Sequence, residues 1–179
     1  MNRGEIRTAV KERLAIPSIG DGLLPDSTLN SLINRSLATI SAAKEWPWLL
    51  DTYTMNFVGG SSHLPNDFVR ARQLVINDAP VLWLQLEDFL KPDRISAVYC
   101  WTIIGAQARL TPIPSTDTTG TLYYYRSEPE LLSDYSTPLM PALHHSLIVA
   151  YTAYLAALTR QDEARAAVYQ AEYQSILIS

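Results

Sequence analysis

The chain has 179 residues, with 18 Asp and Glu against 14 Lys and Arg for a net charge of −4; 47% of it is hydrophobic and 18% charged. That is enough apolar material for one domain, or one domain carrying an insertion, and it excludes wholesale disorder, which combines low hydrophobicity with high charge. No two cations adjoin, so the basic stripe that a reader of DNA sequence uses to neutralise phosphates is missing.

The first predicted element is a helix over residues 2–15. Asn2 and Glu5 stand at capping-box spacing, and Ile6, Val10 and Leu14 fall at i, i+4, i+8 on one face. Ile16-Pro17 ends it, and a loop runs to Pro25. Asp26 or Ser27 is the expected N-cap of a second helix. Leu29, Leu32, Ile33, Leu37 and Ile40 form its apolar stripe as far as Lys44, and Pro47 stops it between Trp46 and Trp48.

The pattern then changes period. Over 50–58, Tyr53, Met55 and Phe57 alternate with Thr52, Thr54 and Asn56, as in a half-buried strand. Gly59-Gly60-Ser61-Ser62 reads as a turn. Further strands are expected at 69–77, 81–86, 95–104, 107–111 and 121–126, separated by Asn77-Asp78-Ala79-Pro80, Pro92, Gly105 and a 112–120 loop. Short strands this close together favour an antiparallel sheet or small barrel. Helical spacing returns after Pro138. Pro141 suits a first turn, and Leu143, Leu147, Tyr151, Tyr154 and Leu158 mark a face. A break at Arg160-Gln161-Asp162 precedes a last helix with Ala164, Val168, Ala171 and Ser175 or Ile176 inward. The fold class is therefore α+β: a helical bundle from residues 1–49 and 127–179, with an antiparallel β-sheet or small β-barrel domain, 50–126, inserted between its halves.

Catalytic chemistry finds little support. Cys100 is the only cysteine, which excludes an internal disulfide and any cysteine cluster for zinc or iron–sulfur, and fits folding in a reducing compartment. The histidines are His63, His144 and His145. No G-x-S-x-G elbow accompanies a serine, and adjacent His144 and His145 point about 100° apart on a helix, so they do not form a metal pair. Gly20-Asp21-Gly22 lacks the lysine and helix start of a phosphate loop. The pairs Glu87-Asp88 and Asp162-Glu163 suit helix N-termini, where the dipole favours acids. The expectation is no catalytic residue, no cofactor and no metal. Residues 1–5 lack the apolar core of a secretory signal. The most apolar run, 147–158, is about half the roughly 20 residues of a membrane span. These features read as a soluble protein with no membrane role. Tyr123-Tyr124-Tyr125 cannot form one stacking platform, because consecutive strand residues alternate faces. Tyr123 and Tyr125 share a face that suits a protein partner, where tyrosine is enriched.

Four features together resemble the bacteriophage head–tail adaptor (head-to-tail connector) proteins. They are the helix carrying Asn34-Arg35 and ending in Glu45-Trp46-Pro47-Trp48-Leu49; Leu64-Pro65-Asn66-Asp67-Phe68 after the first strand and turn; Leu110-Thr111-Pro112-Ile113-Pro114 followed by Leu122-Tyr123-Tyr124-Tyr125; and Pro138-Leu139-Met140-Pro141 leading into a helix with His144 and Tyr151. In order and spacing they cover residues 26–175. The resemblance implies a structural virion protein of the neck, made in the host bacterial cytoplasm. It would assemble as a ring, typically twelvefold, that docks on the portal protein and contacts tail, nozzle or terminator proteins. DNA would pass through its lumen without sequence-specific binding, and a weakly acidic wall lets it slide. Trp46, Pro47, Trp48, Pro65 and Phe68 are the expected structural junction between bundle and sheet. Partner contact is expected at Tyr123, Tyr125 and the consecutive apolar residues Ile176, Leu177 and Ile178. The alternatives are a virion cell-wall-degrading enzyme on the same scaffold, or a tail-completion interaction protein.

Overall fold

The structure, a computed structural model, describes residues 1–16, 22, 24–91 and 99–178. The element order is α1 (Arg3–Arg13), α2 (Asp26–Ala43), a 3-10 turn (Pro47–Leu49), β1 (Leu50–Phe57), β2 (Ser61–His63), β3 (Phe68–Ile76), β4 (Ala79–Trp83), α3 (Leu86–Phe89), β5 (Cys100–Ile104), β6 (Gln107–Thr111), β7 (Thr118–Arg126), a second 3-10 turn (Ala142–His144), α4 (His145–Thr159) and α5 (Glu163–Ile178). The helix stop at Pro17, Gly20 and Asp21 of the expected turn, the break at Pro92 and the strand start at 95–98 lie outside the described residues. The chain forms two compact units, Met1–Leu49 with Ser127–Ser179, and Leu50–Arg126.

In the helical unit the α1 capping box is formed. Asn2 Oδ1 accepts from the Glu5 N–H at 2.9 Å, and Glu5 Oε2 accepts from the Asn2 N–H at 3.0 Å, so two otherwise orphaned donors are satisfied. Ile6, Val10 and Leu14 are buried on the predicted face. The expected cap of α2 differs. Pro25 holds the N-cap position without a side-chain bond, and Asp26 is the first helical residue. Its carboxylate faces Lys11 Nζ at 2.6 Å and Arg7 Nε at 3.4 Å, so the cations of α1 draw it from the capping position while it still complements the helix dipole.

The expected faces of α4 and α5 need correction. Leu143 precedes α4 and is 84% exposed, and Leu158 is also exposed, whereas Leu147, Ile148, Val149, Ala150, Ala153, Ala156 and Ala157 are buried. Helices α1, α2 and α5 all pack on α4. A helix buried on several sides loses its 3.6-residue period. Residues Ala142–Thr159 are also long and apolar enough to cross a membrane by length and composition, contrary to the shorter run expected, and more than half of them are buried in the bundle. That is the composition of a core helix. On α5, Ala164, Val168 and Ala171, expected inward, are exposed, as is Ser175, whereas its alternative Ile176 packs on the core. The inner face is Ala166, Tyr169, Tyr173, Ile176 and Leu177. The Tyr173 ring meets Tyr151 at 4.6 Å, and Tyr169 Oη donates to Arg13 O at 2.8 Å. Two buried hydroxyls in this core are paired, as burial favours: Thr152 Oγ1 donates to Ser36 Oγ, which donates to Leu32 O.

The β unit is a seven-stranded sheet ordered β1-β7-β3-β4-β5-β6-β2. It is nearly closed, because its end strands β1 and β2 are joined by the tight turn Val58-Gly59-Gly60-Ser61, in which Val58 and Ser61 exchange both backbone bonds at 3.0 and 3.1 Å. Gly59 and Gly60 have φ of 56° and 77°, the left-handed pair that a two-residue hairpin with the twist of its strands requires. The turn is shorter than expected, and Ser61–His63 is a strand. Ladders are antiparallel except β4–β5, where Leu82 pairs with Cys100 and Trp83 with Trp101 in parallel. The connection between those strands carries α3 and is no hairpin. Met55, Phe57, Leu74, Ile76, Trp101, Leu110, Leu122 and Tyr124 fill the interior at alternate positions. Tyr53, expected to share the face of Met55 and Phe57, is 39% exposed.

Candidate interaction surfaces

The residues tested for chemistry are engaged structurally or stand apart. His144 stacks on Trp48 at 4.9 Å, whereas His145 is buried with Nε2 donating to Met140 O at 2.9 Å; burial, foremost, holds its pKa below the ordinary imidazole value. His144 closes the second 3-10 turn and His145 opens α4, so the two do not share the one helix expected, and each ring has its own partner. His63 lies on β2 beside Gln107 at 3.5 Å. Asp88 pairs with Lys91 at 2.7 Å, and Asp162 accepts from the Arg165 N–H at 3.1 Å at the start of α5. Among the described residues no group of three His, Cys, Asp or Glu could hold a metal.

The segment 127–144 is fastened to the bundle at several points, and only its 138–141 motif stands out in the sequence. Buried side chains fasten it from inside: Leu131, Met140 and Glu128. The Glu128 carboxylate accepts from the backbone N–H groups of Leu139 and Met140, and the Glu128 N–H donates to Ser41 Oγ at 3.0 Å. Asn34 accepts from the Leu131 N–H at 3.0 Å. Arg3 and Arg7 grip Asp134, with Arg3 Nη2 at 2.9 Å and Arg7 Nη2 at 2.8 Å. Hydrogen bonds from Arg7 and then Arg3 hold the Asp134 carboxyl at about 2, and the same bond from Asp134 raises the Arg7 pKa. Held this way, the segment presents Leu132 (79% exposed), Tyr135 (88%) and Leu143 (84%) to solvent. A backbone fastened in this way adds little ordering cost of its own when such side chains dock.

The motif residues have defined places. Trp46 and Trp48 stack at 4.6 Å, Trp46 Nε1 donates to Ile40 O at 2.7 Å, and Lys44 Nζ lies 4.3 Å over the Trp46 ring. Together with Pro47 they form an aromatic end to α2. Pro65 accepts from the Phe68 N–H at 3.1 Å, a turn that brings Asp67 and Phe68 to Tyr124. Tyr124 Oη donates to Asp67 Oδ1 at 2.9 Å, and the Phe68 and Tyr124 rings stack at 6.0 Å. Burial, then the Asp67 bond, raises the Tyr124 pKa above its ordinary value.

Among the expected partner contacts, Tyr123 is 37% exposed, whereas Tyr125 is buried and its hydroxyl accepts from Arg72 Nη1 at 2.7 Å. Ile176 and Leu177 pack partly on the bundle core, and Ile178 is 83% exposed. Lys44 Nζ donates to Leu177 O at 3.0 Å, placing a cation where the dipole of α5 is negative.

The sequence model of one family, described as SU10 adaptor protein, matches residues 1–179. No curated protein matches the chain.

Proposed function

The chain belongs to the SU10 adaptor protein family, a structural and non-enzymatic virion component, and from that premise we propose that it works in the neck of a tailed phage, docked as a ring on the portal protein and joining the DNA-filled head to the tail. The family match over the whole chain carries this reading. The braced segment 127–144 supports it, because Leu132, Tyr135 and Leu143 are available to a neighbour before assembly. In a cyclic ring each contact is heterologous, one face of a subunit meeting a different face of the next. The exposed face of α5, with Val168 and Ile178, offers a second apolar surface for such a contact. Tyr123 on the barrel, and the end of α5 at Ile176, Leu177 and Ile178, are the proposed contacts with portal or tail proteins. A chain with net charge −4 lines a DNA conduit without holding the phosphates. Twelve copies would match a twelvefold portal.

The test is genetic and morphological. A nonsense codon in this gene, in a host without a suppressor, should yield DNA-filled heads that lack tails and leak their DNA. Normal tailed particles from the same infection would overturn the proposal.

A further inference from the structure

The barrel has a slot in its wall. The β3–β4 ladder covers only Leu74, Val75 and Ile76 against Val81, Pro80 and Ala79. Beyond it, among the described residues, β3 pairs with β7 alone, and Leu82 and Trp83 pair with β5 alone. The cause is local. Register shifts between Phe68 and Arg70 and between Ala71 and Gln73 mark bulges, which bend a strand and increase its twist, so β3 swings away from β4. Between them lies a groove of about 740 Å³, the size of a pocket that buries a small ligand.

The residues bordering the groove reveal what kind of opening it is. A strand that turns a face to a pocket lines it with every second residue. Here the lining is consecutive: 68–73 from β3 and 80–83 from β4, with Trp101 and Ile103 from β5. Consecutive lining means that two strand edges, rather than two faces, border the slot. Edge strands carry backbone N–H and C=O groups ready to pair with another extended chain. Six residues of β3 span about 20 Å at strand rise, room for a short strand.

The flanking side chains specify its chemistry. Leu82 is 57% exposed and Trp83 42%, with Trp83 set edge-on to Trp101 at 4.8 Å. On the opposite side, exposed Arg72 donates to the Tyr125 hydroxyl and pairs with no carboxylate among the described residues. Among the described residues no Asp or Glu lines the groove.

We propose that the slot between β3 and β4 takes an extended segment of another protein by strand addition, with alternate apolar side chains over Leu82 and Trp83 and an Asp or Glu against Arg72. Main-chain bonds to a free edge supply affinity in this mode, and the flanking side chains supply selectivity. The proposal stands independently of the neck assignment.

The test uses the full-length protein and a displayed library of random linear peptides, with the enriched peptide synthesised as the probe. The expected peptide alternates apolar residues and carries one acidic residue. Its binding should slow amide exchange at 69–72 and 82–83. Arg72→Glu should weaken binding by about tenfold, roughly 1.4 kcal/mol, and exchanging the peptide's acid for lysine should restore it. That rescue separates lost recognition from lost fold. Enrichment of helical or purely basic peptides, exchange protection elsewhere, or no enrichment would overturn the proposal. So would self-association of the protein that Leu82→Glu abolishes, since a second copy would then be the occupant.

Discussion

Two substitutions on α5 test which of its faces supports the bundle. Tyr173 is 4% exposed, its ring lies against Tyr151, and burial raises its hydroxyl pKa. Val168, five residues earlier, is 64% exposed. Truncating a buried aromatic to alanine costs about 3–5 kcal/mol through lost transfer energy and the cavity left behind. Tyr173 belongs near the lower figure, because its hydroxyl gains water in the unfolded chain. With a urea m value of about 2 kcal/mol per molar, a loss of about 3 kcal/mol lowers the midpoint by about 1.5 M. Exposed positions change stability by no more than about 0.5 kcal/mol, so Val168→Ala should move the midpoint by less than about 0.3 M. The assay is urea unfolding followed by helical circular dichroism, which reports chiefly on the bundle. A Val168→Ala shift as large as that of Tyr173→Ala would refute this packing and restore the small-residue stripe as the inner face.

Further expectations concern the brace, the barrel and assembly. The Asp134 carboxyl is held at about 2 against an ordinary 3.8, so its contribution is present above pH ~4 and is lost as the pH falls through the folded value; Asp134→Asn should flatten the acid side of the stability–pH curve between those limits and leave its alkaline side unchanged. Gly120→Ala should destabilise the barrel by about 1–3 kcal/mol, because a Cβ there would stand 2.9 Å from Ile76 Cγ1 and 3.0 Å from Val75 O; differential scanning calorimetry reads the effect. Tyr135→Glu and Leu143→Glu, both at strongly exposed positions, should leave the unfolding midpoint unchanged and abolish ring assembly on the portal in sedimentation experiments. Wild-type assembly by both variants would remove the segment 127–144 from the interface.

What the sequence disclosed follows from how local each signal is. Helix α1 and the body of α2 each have one buried face and one wet face, so spacing alone identifies Ile6, Val10, Ile33 and Leu37. Helix α4 has neighbours on several sides, and its apolar residues carry no single period from which to choose Leu147 over Leu143. On α5 the exposed Ala164, Val168 and Ala171 imitate an inner face, while the true one relies on Tyr169 and Tyr173, whose hydroxyls make them look like surface residues. Strand β2, Ser61–His63, is too short and polar to alternate, and α3 is a single turn. The grip of Arg3 and Arg7 on Asp134 joins residues more than 120 positions apart, which no window along the chain can register. The β3 bulges, and with them the slot, arise from the pairing of three strands rather than from any one of them. The motif residues have tasks that their spacing along the chain does not spell out: Asn34 holds the Leu131 backbone, Trp46 closes α2, and Asp67 with Phe68 clasps Tyr124.

Native mass spectrometry of this protein mixed with the portal encoded by the same genome tests the neck assignment most directly. The assignment predicts a discrete complex with one adaptor per portal subunit, absent when either component is alone. No complex, at concentrations where the portal ring itself remains intact, would contradict it and move the protein to the tail side of the junction.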